Sequence, residues 1–360
     1  MTIIELPDIP PFSLGKADKE KLLSPFLTAL SRHHYHNCEP YRKMMDGIGF
    51  DPGKDYHYSD LAFLPVQLFK MLKLCSVPDE EIIKTLTSSG TTGPSKSQVF
   101  LDRETAANQT RVLTKIISSF IGNKRMPMII IDSENITNNR NQLSATEAGI
   151  QGFSLYGSKR MFALDQHMEP NIEHVMSFIE EHRNERILIF GFTFRVYQFL
   201  YKEFKKAGVQ PDLSDALLIH GGGWKKLAGE SVSPELFREM LKDTCGIRRV
   251  HDYYGMAEQT GSIHMECEYG HYHTSVFGDV IVRRPHDFSS ADTGEEGIIQ
   301  VLSLLPKSYP GHSLLTDDTG IFLGEDDCPC GRLGKFFKIT GRIENAGRKG
   351  CSDAYDEKLD

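Results

Sequence analysis

No apolar run in this sequence approaches the roughly 18–20 residues needed to cross a bilayer. Its longest apolar stretches, Met126–Ile131 and Ile187–Phe194, have the length of buried strands. A surplus of positive charge is also missing. The net charge is −8 and the pI near 6.0, so no basic stripe offsets the repulsion of nucleic-acid phosphates. The N-terminal segment MTIIELPDIPPFSLG carries acids and prolines where a secretory signal has a basic start and an apolar stretch. A cytoplasmic location is expected. Internal repeats and low-complexity tracts are absent. The 7 cysteines are an odd number, read in a reducing compartment as metal ligands, reactive thiols or packing residues rather than disulfides.

What is present is an ordinary globular composition, 39% hydrophobic and 25% charged over 360 residues, enough chain for two or three domains. Residues 1–85 read as helical and loop-rich, with helical spacing over Leu22–Arg32 and an apolar run, Leu61–Leu74, broken by Pro65. Residues 86–264 read as an α/β core. An amphipathic helix over Asp102–Phe120 precedes strand–helix alternation: strands at Met128–Ile131, Ile187–Phe190, Ala216–His220 and Arg249–Tyr254, helices at Ile172–Arg183, Thr193–Lys206 and Pro234–Lys242. Such alternation predicts a parallel sheet with helices on both faces. From 265 to 340 the strands shorten and glycine increases, which suggests a smaller β-rich subdomain, followed by a tail at 341–360.

Several groups of residues carry chemistry. In Leu86–Val99, LTSSGTTGPSKSQV, the hydroxyls of Thr87, Ser88, Ser89, Thr91 and Thr92, the flexible Gly90 and Gly93 and the charge of Lys96 suit a polyphosphate. The glycine spacing is not that of a Walker loop, and a flexible linker is the competing reading. His220-Gly221-Gly222-Gly223-Trp224 and Tyr253-Tyr254-Gly255-Met256-Ala257-Glu258 follow predicted strands, where open α/β sheets bind ligands. Glu258 could hold Mg²⁺, or be a solvated side chain. In Thr316-Asp317-Asp318-Thr319-Gly320 an aspartate can accept ribose hydroxyls, or simply close a turn. Arg342, beside Gly341, suits a phosphate or a hinge. Cys267, with His271 and His273 nearby, and Cys328-Pro329-Cys330 would make a structural Cys₃His zinc site. Near the end, Cys351 follows Arg348 and Lys349, which favour its thiolate. Cys38, Cys75 and Cys245 read as packing residues.

Taken in order, TSSGTTGPSK at 87–96, HGGGW at 220–224, YYGMAEQTG at 253–261, TDDTG at 316–320 and GRIE at 341–344 resemble the adenylate-forming superfamily of acyl-CoA synthetases, adenylation domains and luciferases. Further features are similar to its acyl-protein synthetase branch, the long-chain fatty acid–luciferin-component ligases. They are LPVQLFK at 64–70, GGGWKKLAGE at 221–230, CEYGHYH at 267–273, SYPGHSLLTDDTG at 308–320 and GRKGCS at 347–352. The phenylacetate–CoA ligases share the cysteine/histidine cluster.

The resemblance implies an α/β adenylate-forming core with helix-covered sheets and a zinc-containing β-rich subdomain. It implies that ATP, with Mg²⁺, converts a fatty carboxylic acid to acyl-AMP, after which a thiol takes the acyl group. Ser88, Ser89, Thr91, Thr92 and Lys96 would grip the pyrophosphoryl portion. Gly221–Gly223 and Tyr253–Gly255 would bracket adenosine and the acyl carbonyl, Glu258 would hold Mg²⁺, and Asp318 the ribose. Cys351 matches the acyl-acceptor cysteine, with an acyl reductase or acyl-carrier protein as partner, a homo-oligomer left open, and structural Zn²⁺ on Cys267, His273, Cys328 and Cys330. Several positions depart from the pattern: Ala257 stands in place of threonine, Glu344 in place of aspartate, and His271 where the branch carries arginine. With the sequence ending at Asp360, the superfamily's C-terminal catalytic-lysine domain is expected to be absent or vestigial. A CoA ligase and a non-catalytic acyl- or nucleotide-binding partner are the competing functions.

Overall fold

The computed structural model describes residues 5–88, 96–134 and 142–343. It begins with α1 (Lys16–Asn37) and α2 (Glu39–Gly47). In α1, Leu23, Phe26, Leu27 and Leu30 recur at three- and four-residue spacing and are buried, the stripe that docks a helix on a core. The Leu61–Leu74 run is divided between a two-residue strand, β1 (Leu64–Pro65), and one helical turn, α3 (Leu68–Met71). Pro65 lacks the N–H that a continuous helix would need.

Next come β2 (Lys84–Thr87), β3 (Gln98–Leu101), α4 (Arg103–Ile121), β4 (Met126–Ser133), β5 (Gln142–Ser144), α5 (Ala145–Ser154) and β6 (Gly157–Leu164). The alternation continues through α6 (Ile172–Glu181), β7 (Leu188–Phe192), α7 (Thr193–Val196), α8 (Phe204–Ala207), β8 (Leu217–Gly221), α9 (Pro234–Cys245) and β9 (Arg249–Tyr254). Between α7 and α8 the backbone is π-helical over Tyr197–Glu203, so the helix expected at 193–206 forms without being uniformly α. Six more strands follow: β10 (His264–Glu266), β11 (Tyr272–His273), β12 (Gly278–Arg283), β13 (Glu296–Ser303), β14 (Ser313–Glu325) and β15 (Lys335–Arg342).

One large sheet has the order β12-β13-β14-β15-β11-β10-β9-β8-β7-β4-β6, with β1 added to β14; β3-β2-β5 form a small second sheet. Strands β6, β4, β7, β8 and β9 are mutually parallel. From β9 onward the pairing becomes antiparallel, so the strands after residue 264 extend the same sheet. Alternate residues face opposite layers, as the two-residue period of a strand requires. Ile130, Phe190 and Ile219 pack with residues of α4 and α5. Ile129, Ile131, Ile189 and Leu218 pack with residues of α6, α9 and the π-helical stretch. Both faces are therefore covered, and the carboxyl ends of β8 and β9 open side by side.

Candidate active site and cysteine–histidine cluster

Strands β2 and β3 form a hairpin in which Thr87 faces Gln98. Just beyond them, Ser88 N donates to Ser97 O at 3.1 Å and Ser97 N donates to Ser88 Oγ at 3.1 Å. These bonds pin together the stems of the Ser/Thr/Gly loop. Ser88 is buried on one stem and Lys96 exposed on the other. Ser89, Gly90, Thr91, Thr92 and Gly93 lie outside the described residues. On its other edge β2 pairs with β5, Thr87 facing Ser144, and Ser144 starts α5 through a capping box with Glu147.

Gly221 ends β8 directly opposite Tyr253 of β9. A Cβ on Gly221 would meet the Tyr253 ring at 2.4 Å, so only glycine lets the ring lie across the strand end. Gly222 has φ +76°, a conformation that L side chains rarely adopt, and Gly223 faces open space. Beneath this turn His220 is neutral: burial pushes its pKa down to about 3, and Nδ1 sits 2.9 Å from the Thr193 hydroxyl. Gly255 packs against Ile263.

Tyr254 donates its hydroxyl to Asp318 Oδ2 at 2.8 Å. Asp318 faces Arg342 across β14 and β15. Arg342 Nη2 lies 3.3 Å from Asp317 Oδ2 and its Nε lies 3.9 Å from Asp318 Oδ1. The Gln67 amide also donates to Asp317. Burial holds the Asp318 carboxyl above its ordinary range, with Tyr254 and Arg342 pulling the other way. The Asp318 side chain keeps 25% exposure, so a ligand hydroxyl can reach it.

Glu258 occupies the turn Ala257–Gln259 and is only 4% exposed. Burial raises its carboxyl pKa; the Ser97 hydroxyl and the Lys70 charge act in the opposite direction. The Ser97 contact is looser than a full hydrogen bond. The loop stem, Glu258 and the segment 64–71 are thus neighbours. Gln67, Lys70 and Ser97 lie within segments quoted from the sequence, but none of the three was given a role there. The available signal was a polar pair three residues apart, Gln67 and Lys70, interrupting an apolar run.

Elsewhere, β10 and β11 form a hairpin in which Met265 faces His273. The donor atoms of Cys267, His273, Cys328 and Cys330 all lie within 4.8 Å of one another. Cys267 Sγ is 3.9 Å from Cys328 Sγ, and Cys330 Sγ is 3.3 Å from His273 Nε2. Metal–sulfur bonds of about 2.3 Å in a tetrahedron would put sulfurs about 3.8 Å apart, so the sulfur spacing suits a metal ion. Burial pushes the Cys267 thiol up and the Cys328 thiol up to about 12, and it lowers His273 to about 4. His271 stays outside the set, its Nδ1 3.4 Å from Cys328 Sγ, where an N–H can support the sulfur. Cys38 and Cys245 are buried and Cys75 is half-buried. Cys351 lies outside the described residues.

The fold is that of the adenylate-forming ligases. A 2-hydroxyisobutyryl-CoA ligase, solved in an open conformation with 2-HIB-AMP and CoA, superposes with a TM-score of 0.72 at 16% identity, covering 96% of this chain and 81% of that one. The same enzyme in its thioesterification state gives 0.72 at 16% identity, over 93% of this chain and 70% of that one. Within that class the chain belongs to the family described as acyl-protein synthetase, LuxE, whose sequence model matches residues 5–360. It is similar to a long-chain-fatty-acid–luciferin-component ligase of Vibrio harveyi, 24% identical over 95% of this chain and 90% of the relative. A second such ligase, from Aliivibrio fischeri, is 25% identical over 89% of this chain and 84% of the relative. Family membership makes the chain a ligase that joins acyl groups to protein, with the acyl group activated by ATP. Among the described residues no helix is long and apolar enough to cross a membrane.

Proposed function

We propose that this chain activates a long-chain fatty acid as acyl-AMP and then acylates a protein thiol, first its own Cys351. The observation that carries the reading is the convergence, beside the carboxyl ends of β8 and β9, of Gly221–Gly223, the Tyr254–Asp318–Arg342 cluster, Glu258 and the pinned loop stem. Asp318 and Tyr254 take the ribose hydroxyls, and Tyr253 and the glycines hold adenine and the acyl carbonyl. Ser88, Lys96 and the loop residues Ser89 to Gly93 take the departing pyrophosphate. Glu258 carries Mg²⁺, and Arg342 faces the phosphates or serves as a hinge.

A carboxylate oxygen of the acid attacks the α-phosphorus in line, and the bond from that phosphorus to the bridging oxygen breaks. Pyrophosphate leaves with the electron pair. Catalysis is then positioning plus charge stabilisation. Attack by the Cys351 thiolate on the acyl carbonyl forms a thioester and releases AMP, storing the acyl group for an acyl reductase in the cytoplasm. The cysteine–histidine cluster suits structural zinc: three sulfurs and one nitrogen leave no open position. The names of the relatives support a long-chain acid. Fatty-acid-dependent exchange of pyrophosphate into ATP tests the first step. Exchange with long-chain acids, weaker with short acids, is expected; no exchange with any acid would overturn the reading.

A further inference from the structure

We propose that Lys70 is a catalytic cation of the adenylation step, contacting the phosphates of ATP beside Glu258. The proposal rests on the reading of this site as an adenylating centre. Its basis is how the segment 64–71 is anchored. β1 runs parallel to β14, with Leu64 opposite Leu314 and Pro65 opposite Leu315, and Val66 N donates to Leu315 O at 2.9 Å. Gln67 is tied to Asp317, next to the ribose-binding candidate Asp318. Phe69, 1% exposed, meets the Tyr309 ring edge-on with centroids 6.1 Å apart. Two residues beyond Tyr309, a Cβ on Gly311 would meet the carbonyl oxygen of Glu258 at 2.7 Å. The strand, the amide and the buried ring therefore fix α3 against the very loop that wraps Glu258.

Lys70 follows Phe69 on this anchored turn. It is half-buried, and its charge acts on the Glu258 carboxyl. Other lysines nearby are committed: Lys73 to Asp79 at 2.7 Å, and Lys307 to Glu104. Among the described residues, no carboxylate lies within ion-pair distance of Lys70. Arg342 is engaged by Asp317 and Asp318, and Lys96 stands exposed on a loop stem. A triphosphate entering beside Asp317, Asp318 and Glu258 adds negative charge to an acidic site. A cation on a packed element stabilises the charge that grows on the leaving pyrophosphate without reorganisation. No proton transfer is involved: the bond from the α-phosphorus to the bridging oxygen breaks, and the Lys70 side chain faces the oxygens that take up the charge.

The test compares Lys70→Ala, Lys70→Arg and wild type in two assays. One is pyrophosphate–ATP exchange with long-chain fatty acids; the other is self-acylation from chemically prepared acyl-AMP, which bypasses the adenylation step. We expect Lys70→Ala to lower kcat/KM for ATP in exchange by about 100-fold, and Lys70→Arg to retain most of it. Acylation from supplied acyl-AMP and the melting temperature should stay at wild-type values. Exchange by Lys70→Ala within about threefold of wild type would overturn the proposal, as would equal losses in both assays. Should Lys70→Ala melt early, Lys70→Gln replaces it, and the proposal requires Arg active and Gln impaired. Absence of exchange in wild type would instead sink the adenylation reading itself.

Discussion

Replacing Asp279 by asparagine removes the only carboxylate that ion-pairs with both Lys19 of α1 and Lys335 of β15 among the described residues. Lys19 Nζ lies 3.2 Å from Asp279 Oδ1, and Lys335 Nζ lies 3.0 Å from Oδ2. Asp279 and Lys19 are 1% and 2% exposed. Burial alone would raise the Asp279 carboxyl, yet the two ammoniums outweigh it and hold the pKa at about 2. Lys19 also donates to the Thr274 hydroxyl at 2.7 Å and Lys335 to the Tyr58 hydroxyl at 2.9 Å. The variant keeps the shape and these neutral partners but leaves two buried positive charges facing each other. Breaking a buried ion pair from one side costs about 3–5 kcal/mol, a large share of the roughly 5–15 kcal/mol that a folded domain commands.

The pH dependence follows from the depressed pKa. The carboxylate's contribution is fully present above the ordinary value of 3.8 and is lost as pH falls through about 2. The stability gap between wild type and Asp279→Asn should therefore be widest near neutral pH and shrink in acid. Urea unfolding at several pH values measures it, provided the slope with denaturant is unchanged. Lys19→Met, which leaves a balanced Asp279–Lys335 pair, should cost less than Asp279→Asn. A neutral-pH loss below about 1 kcal/mol for Asp279→Asn would instead place the cluster in the solvent-screened regime, where the buried charges do not hold the fold.

Asp318→Ala should raise KM for ATP by about 10- to 100-fold, the value of a hydrogen bond to a charged acceptor, with little change in melting temperature. Gly221→Ala should abolish exchange while the protein stays folded, because the new methyl displaces the Tyr253 ring; crystallography of the variant would locate the shift. Purified protein should carry one zinc per chain by elemental analysis, and Cys330→Ser or a strong chelator should lower both the zinc content and the melting temperature. Burial raises the Glu258 carboxyl, and in the proposed role only the ionised form would hold Mg²⁺. The acid limb of the exchange rate should therefore lie above the ordinary carboxylate range, and Lys70→Gln should move it higher still.

The parallel core was legible because its strands are buried on both faces and read as unbroken apolar runs. Met126–Ile131 and Ala216–His220 are of this kind, and so is most of β7. Several strands escaped notice, and β6 and β5 show why. β6 is the terminal strand of the large sheet and exposes Ser158, Lys159 and Arg160, which dilutes its apolar signal. β5 has only three residues. Continuity of the sheet past residue 264 could not be read locally, since it depends on β10 pairing with β9.

At the candidate site, Tyr254 and Asp318 were each identifiable, but their contact joins residues 64 positions apart. The spacing of the cysteines announced a metal-type cluster. The family pattern favoured His273 over His271, and the four-residue cluster contains His273, while His271 Nδ1 lies beside Cys328 Sγ outside it. Lys70 ends the quoted LPVQLFK segment, but a single helical turn inside an apolar run leaves no periodic trace that would assign it a role.

The proposed reaction ends in covalent acylation of this chain. Incubation with ATP, Mg²⁺ and a labelled long-chain fatty acid, followed by intact-mass and peptide analysis, measures it most directly. One acyl group on Cys351, held through a thioester cleaved by neutral hydroxylamine, is expected. Cys351→Ser should lose the label yet retain pyrophosphate exchange. Label appearing only on added CoA, or persisting undiminished in Cys351→Ser, would contradict that reaction.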